Sequence, residues 1–201
     1  MMEWTAFEDQ ARAEGYTCIC GIDEAGRGPL AGPVYAAAVV LRPGQVVEGV
    51  NDSKKLSEKK RKALFDTICS QCAAYGIGSA TEKEIDEINI LNATYLAMQR
   101  AVAALPVQPD CALVDGNRAP DLPLEVRTII KGDAQSASIA AASILAKVSR
   151  DRYMLQMAEK YPQYAFEKHK GYGTKLHYER LEQYGISPIH RLSFLKKWMN
   201  R

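Results

Sequence analysis

The chain predicts an α/β domain with a mixed central sheet, and two observations carry that prediction. Short apolar runs of strand length recur along it, and they are separated by longer segments whose apolar residues return with helical period. No repeat, low-complexity tract or linker divides the 201 residues, a length that suits one domain. The first strand is expected in the run Tyr16–Ile22. Val34–Leu41, nearly continuous and β-branched at both ends, reads as a buried second strand that Arg42-Pro43-Gly44 breaks. A helix over Glu58–Cys69 follows, with Ser57 as its cap, and Ala73–Ala80 is a weaker third strand.

Thr81-x-x-Glu84 is a capping box, so a helix is expected to open there and run through Glu84–Leu105, ending before Pro106. Cys111–Val114 and Val126–Ile130 are two further short strands. The longest helix is expected over Ser136–Lys160, where Ile139, Ala142, Ser143, Ala146 and Arg150 share one face. Its small residues from Ala137 to Ala146 allow close packing on a sheet. After Pro162 come loop and two shorter helices, near Thr174–Tyr184 and Ser193–Asn200.

No apolar run reaches the ~20 residues that span a bilayer, and the acidic N-terminus lacks the layout of a signal peptide. A cytoplasmic location is the expectation. Five cysteines, an odd number, fit reduced thiols. Cys69-x-x-Cys72 lies at the end of a helix, not at the N-terminus that would stabilise a thiolate, and no second pair stands at zinc-binding spacing. The net charge of +2 is small, but its distribution is uneven. From Lys168 to Arg201 eight basic residues face two acids, Glu179 and Glu182, and His169, Tyr172, His177 and Tyr178 are interleaved with them. Bases mixed with rings suit a surface that follows a nucleic-acid backbone. A second cluster, Lys54, Lys55 and Lys59 to Lys62, is either such a surface or a solvated helix face.

The most informative segment is Gly21-Ile22-Asp23-Glu24-Ala25-Gly26-Arg27-Gly28. Adjacent carboxylates at a strand end suit a divalent metal, since hard cations take oxygen ligands. A Gly-Arg-Gly turn lets backbone approach a partner closely with a cation at hand for phosphate. Together they point to phosphodiester chemistry. Asp115 and Asp133 also stand where predicted strands end, each beside a glycine. Alone, a strand-end aspartate is more often a turn or cap residue; three together fit a site where carboxylates converge on metal.

Asn51-Asp52-Ser53-Lys54-Lys55-Leu56, Leu113-Val114-Asp115-Gly116, Lys131-Gly132-Asp133, Ala141–Val148 with Arg150-Asp151-Arg152, His169–Gly173 and Ile189–Phe194 extend the pattern over nearly the whole chain. In this order the segments resemble the type 2 ribonucleases H, specifically the bacterial ribonuclease HII family. The resemblance implies a ribonuclease H-like fold and a single domain, with a catalytic core over about residues 16–160 and a substrate-contacting helical region over about 161–201. It implies hydrolysis of RNA in RNA–DNA hybrids and nicking of duplex DNA on the 5′ side of embedded ribonucleotides. The ends left are 3′-hydroxyl and 5′-phosphate, and the use is ribonucleotide removal.

Its four acids fall on Asp23, Glu24, Asp115 and Asp133, with Mg²⁺ or Mn²⁺ as cofactor, two ions with substrate bound. The resemblance assigns ribonucleotide contact to Gly26, Arg27 and Gly28, with Tyr172 packing on the neighbouring sugar. An exposed ring held between glycines among lysines is a sensible stacking group. Ser53 and Lys54 either bind phosphates or belong to a helix cap. Ser143 and Lys147 either reach the nucleic-acid backbone or are a packed serine and a surface lysine. His190 and Arg191 are expected to anchor the C-terminal region, and His169 and His177 to be solvated or to touch phosphate. Were Asp23 and Glu24 in regular strand, their side chains would face opposite sides of the sheet, so a shared site requires either a break there or a contribution from Glu24 through its backbone or a bound water. A monomer is expected.

Three competing readings remain. A binding module that lost its chemistry conflicts with four intact acids. The sister enzyme, ribonuclease HIII, carries an N-terminal substrate-binding domain for which about 15 residues before the first strand leave no room. A nucleotide hydrolase lacks its G-x-x-x-x-G-K-[ST] loop here.

Overall fold

The computed structural model describes residues 4–50 and 56–200. Five strands form one sheet in the order β3-β2-β1-β4-β5, comprising β1 (Ile19–Ala25), β2 (Val34–Val40), β3 (Ala74–Ala80), β4 (Cys111–Asp115) and β5 (Glu125–Ile129). The first three make an antiparallel meander. β4 and β5 then add parallel to β1 on its other side. The chain therefore leaves β1 in both directions across the sheet, and the crevice between β1 and β4 is its switch point.

Helix α1 (Ala6–Ala13) precedes β1. It was not expected from the sequence, and its role is local: buried Glu8 accepts from the Ser136 and Ser138 hydroxyls (both 2.6 Å) and the Ser138 N–H (3.0 Å). These groups stand at the start of α4 (Ala137–Lys160), where a carboxylate also meets the positive end of the helix dipole.

One face of the sheet is covered by α4 with α2 (Glu58–Gln71), the other by α3 (Glu82–Ala103). Strand alternation sends Cys20, Ile22, Ala112 and Val114 into the α3 core, whereas Ala37 and Val39 enter the α4 core. The run of alanines in α4 lets that helix lie directly on β1. At Gly21 an added Cβ would stand 2.3 Å from the Ile139 nitrogen, so only glycine permits this approach.

Ser57 caps α2 by accepting from the Lys60 N–H, and the expected capping box opens α3. The long helix expected there is interrupted, however. Asn89 takes a positive φ of 68°, and its Oδ1 accepts from the Leu91 and Asn92 N–H groups (3.0 and 3.1 Å), restarting the helix within itself. The C-terminal part comprises α5 (Phe166–His169), α6 (Lys175–Tyr184) and α7 (Leu192–Met199), packed beside the end of β1 and the turn that follows it. Among the described residues no helix is long and apolar enough to cross a membrane.

Candidate active site

β1 runs three residues further than expected. Asp23, Glu24 and Ala25 are regular strand, paired with Ala37, Ala36 and Tyr35 of β2. Of the two alternatives, a strand break is absent, and the two carboxylates do leave on opposite faces. Asp23 lies on the α4 side, hydrogen-bonded to Ser143; Glu24 lies on the α3 side, in a cavity of about 340 Å³ with Leu91, Thr94, Tyr95 and Met98. What joins them is the neighbouring strand. Pairing of β1 with β4 stops at Ile22–Val114, so Asp23 and Asp115 are level with one another just past the last pair, and Glu24 and Ala25 overhang the end of β4.

The electrostatics follow from this crowding. Burial, then the charges of Glu24 and Asp115, push Asp23 well above the ordinary carboxylate range. Burial also raises Glu24, with Arg27 pulling it down and Asp115 pushing it up. Asp23 is 5% exposed and accepts from the Glu24 N–H at 2.7 Å. Asp115 is held toward the segment that follows β5 by the Gly132 N–H (2.6 Å) and, more weakly, the Asp133 N–H (3.4 Å). Asp133 is not at a strand end as expected. It is buried in a single 3-10 turn, Gly132–Ala134, entered through Lys131 in the left-handed region.

Oxygen donors that repel one another around a cleft are the chemistry a hard divalent cation neutralises. Among the described residues no three acidic, histidine or cysteine side chains already enclose a position for an ion. The acids flank a cleft and do not form a closed cage.

A second cavity, about 240 Å³, opens on the α4 side and is lined by Asp23, Glu24, Gly26, Arg27, Gly28, Ser143, Lys147 and Tyr172. Six of the eight residues expected to contact substrate therefore line one cavity with Asp23 and Glu24. Ser143 is buried against Asp23, and Lys147 pairs with Asp151 at 2.7 Å. Arg27 is half exposed and contacts Glu24 at 3.5 Å. Tyr172 is 43% exposed, and a Cβ on Gly28 would lie 3.8 Å from its ring. Ser53 and Lys54 lie outside the described residues. A larger cavity of about 620 Å³ lies at the opposite end of β4 and β5, between Val102–Pro109 and Asp121–Leu124, remote from the acids.

Two guanidiniums fix this turn; Arg191 was expected to anchor the C-terminal region, but its acceptors in the turn, and any such role for Arg150, were not read from the sequence. Arg191 donates to the carbonyls of Gly32 (2.8 Å), Arg27 (2.9 Å) and Gly26 (2.6 Å). Arg150 donates to those of Pro33 (3.1 Å), Ala31 (3.0 Å) and Lys170 (3.0 Å). Both are fully buried, and burial pulls Arg191 down to about 9. Arg150 also explains Gly26, whose φ is +97° and whose Cβ would stand 2.1 Å from the Arg150 Nε. The available signal was the position of Arg150 on the small-residue face of α4. With the carbonyls held from inside, no hydrogen bond among the described residues uses the N–H of Arg27 or Gly28.

His169 and His177 correct another expectation, that of solvated or phosphate-contacting rings, whereas His190 was expected to be an anchor. His169, His177 and His190 are all buried, packed around Phe166 and Tyr164, with the first two stacked at 4.3 Å between ring centroids. Burial pulls His177 down to about 4 and His190 to about 3, so neither is a cation for phosphate at neutral pH.

The comparisons agree with this geometry. The family model described as Ribonuclease HII matches residues 20–197. Ribonuclease HII of Caldicellulosiruptor bescii is 59% identical over 189 residues, 94% of this chain and 92% of its own. That of Clostridioides difficile is 57% identical over 190 residues, 94% of this chain and 74% of its own. Among solved structures, ribonuclease H2 from Pyrococcus horikoshii superposes with a TM-score of 0.73 at 29% identity, covering 88% of this chain and 93% of that one. A match of this extent, to a fold whose crevice gathers the acids, the glycine turn and the tyrosine, establishes that the chain belongs to the ribonuclease HII family.

Proposed function

We propose that the crevice between β1 and β4 is where this chain cleaves RNA, with Asp23, Glu24, Asp115 and Asp133 as its catalytic acids. The chain is a ribonuclease H, an endonuclease acting on RNA–DNA hybrids, and the family depends on divalent metal. The observation that carries the site is the burial of Asp23 close to Glu24 and Asp115, with Asp23 and Glu24 lining one cavity with the Gly-Arg-Gly turn and Tyr172.

Asp23, Glu24, Asp115 and Asp133 would supply the oxygen ligands for Mg²⁺ or Mn²⁺, two ions with substrate bound. Bound there, such ions activate water and stabilise the departing oxygen. Ser143 holds the Asp23 carboxylate, and Arg27 balances Glu24. Hydrolysis falls on the 5′ side of a ribonucleotide and leaves 3′-hydroxyl and 5′-phosphate ends.

The 2′-hydroxyl marks a ribonucleotide, being both donor and acceptor. The unengaged N–H groups of Arg27 and Gly28 suit an oxygen at that position, and their glycine neighbours leave room for it. The half-exposed Tyr172 ring offers a face to the adjoining sugar. Residues 161–201 serve substrate contact, with Lys147 and the C-terminal bases following the backbone. Work as a cytoplasmic monomer in ribonucleotide removal completes the reading.

The test is a duplex carrying one ribonucleotide, incubated with Mg²⁺, Mn²⁺ or EDTA and mapped for the cut. A nick on the 5′ side with either ion and none with EDTA is expected. Binding without cleavage in every condition would overturn the reading.

A further inference from the structure

The buried histidines are joined in a chain of hydrogen bonds whose direction is fixed. The Ser187 N–H points at His190 Nδ1 (2.9 Å), so that nitrogen accepts and the proton of a neutral His190 sits on Nε2. His190 Nε2 meets His177 Nε2 at 2.9 Å, so the latter accepts and His177 carries its proton on Nδ1. That N–H reaches the Tyr172 carbonyl at 2.9 Å. A cationic form of either ring would set a proton against the Ser187 N–H or between two protonated nitrogens. Only one neutral arrangement satisfies every bond. His169 stacks on His177 with its own tautomer set: the Gly171 N–H donates to Nδ1 (3.2 Å), and Nε2–H donates to the Tyr164 carbonyl (2.9 Å).

All of this converges on one backbone residue. The Tyr172 carbonyl accepts from both His177 and the Thr174 N–H (2.8 Å), and its N–H donates to the His169 carbonyl (2.9 Å). Its peptide groups are thus held on both sides while the ring projects into the cavity beside Gly28, with the Arg150 guanidinium 5.8 Å from the ring centre. Neighbouring Gly171 accepts from the Leu30 N–H at 2.8 Å, tying the segment to the turn that bears Gly26–Gly28.

We propose that His177 and His190 are positioning residues for ribonucleotide recognition: the relay from Ser187 through both imidazoles to the Tyr172 carbonyl sets the angle at which the Tyr172 ring meets substrate. The proposal rests on the assignment of Tyr172 to sugar contact. It predicts that the relay matters more when a lone ribonucleotide must be recognised within DNA than when the whole strand is RNA.

The experiment compares His177→Leu, which removes both bonds, with His177→Asn, whose amide can still donate from the Nδ1 position, and with Tyr172→Ala. Each is assayed for kcat and KM on a duplex with one ribonucleotide and on an RNA–DNA hybrid. His177→Leu is expected to lower kcat/KM for the single ribonucleotide about tenfold relative to the hybrid, the size expected for a lost buried hydrogen bond. His177→Asn should recover most of that loss. Equal losses in the two variants, or an unchanged substrate ratio in His177→Leu beside a changed one in Tyr172→Ala, would overturn the relay. An unchanged ratio in Tyr172→Ala would overturn the assignment of Tyr172 and the proposal with it. Independently of folding in the variants, ¹⁵N-detected imidazole spectra of the unmodified protein should show His177 as the Nδ1–H tautomer and His190 as Nε2–H. The opposite pattern would refute the relay without reference to Tyr172.

Discussion

Asp23→Asn should make the metal-free protein more stable while it abolishes cleavage. Asp23 is buried with two other carboxylates near it, and its resolved partners are neutral donors, the Glu24 N–H and the Ser143 hydroxyl. A buried charge without a countercharge costs roughly 3–5 kcal/mol. Hydrogen bonds to a charged acceptor exceed neutral ones by about 1 kcal/mol each, so the two bonds return about 2 kcal/mol that asparagine forgoes. The balance favours the variant by about 1–3 kcal/mol, or about 2–12 °C in Tm for a chain of this size. Calorimetry in EDTA reads this directly.

Metal reverses the comparison. A divalent ion at ten times its dissociation constant stabilises the native protein by about 1.4 kcal/mol and should do little for the variant. Mg²⁺ or Mn²⁺ should therefore raise the Tm of the native protein by several degrees and leave that of Asp23→Asn nearly unmoved. A variant less stable in EDTA, or an equal metal response in both proteins, would refute the electrostatic reasoning. Cleavage at a near-normal rate would refute the site itself.

Three further outcomes are expected. His177 binds its proton near pH 6.5 when unfolded but near 4 when folded, so the unfolded state holds more protons between those values and stability falls as pH drops through them; by pH 5 the loss from this residue is about 2 kcal/mol. Thermal melts from pH 7.5 to 4.5 should thus be steeper for the native protein than for His177→Asn, and parallel slopes would contradict it. Gly21→Ala places a methyl 2.3 Å from the Ile139 nitrogen, and reaching an ordinary 3.4 Å contact moves α4 by about 1.1 Å at about 3 kcal/mol; a melting temperature within a degree of native would show that the helix yields freely. Arg191→Met orphans three carbonyls but also removes a buried cation, for a net loss of about 2–4 kcal/mol by urea unfolding, with single-ribonucleotide cleavage reduced more than hybrid cleavage.

What the sequence revealed was local. The capping box at Thr81 and the exposed ring of Tyr172 between glycines are written within a few adjacent residues, and the structure has them as expected. The four acids were visible as types, but how Asp23 and Glu24 relate depends on where β4 stops, a matter of register between strands about 90 residues apart. For that reason the sequence left two alternatives open, of which the strand break is the one the structure removes. The sequence placed His177 in solvent or against phosphate, since basic residues are mostly exposed, and expected Arg191 to anchor the C-terminal region without showing to what. Their burial depends on carbonyl acceptors: the Tyr172 carbonyl close by for His177, but Gly26 and Arg27, some 165 positions away, for Arg191. No local pattern encodes such long-range acceptors.

The opposed directions of Asp23 and Glu24 have a consequence for the folding of a nuclease. Each acid is seated by a different layer, Asp23 by α4 and Glu24 by α3, although one peptide bond separates them. A nascent chain with only one layer docked holds only one of them in place. In the site proposed above, both carboxylates are therefore in place only once both sides of the sheet are covered.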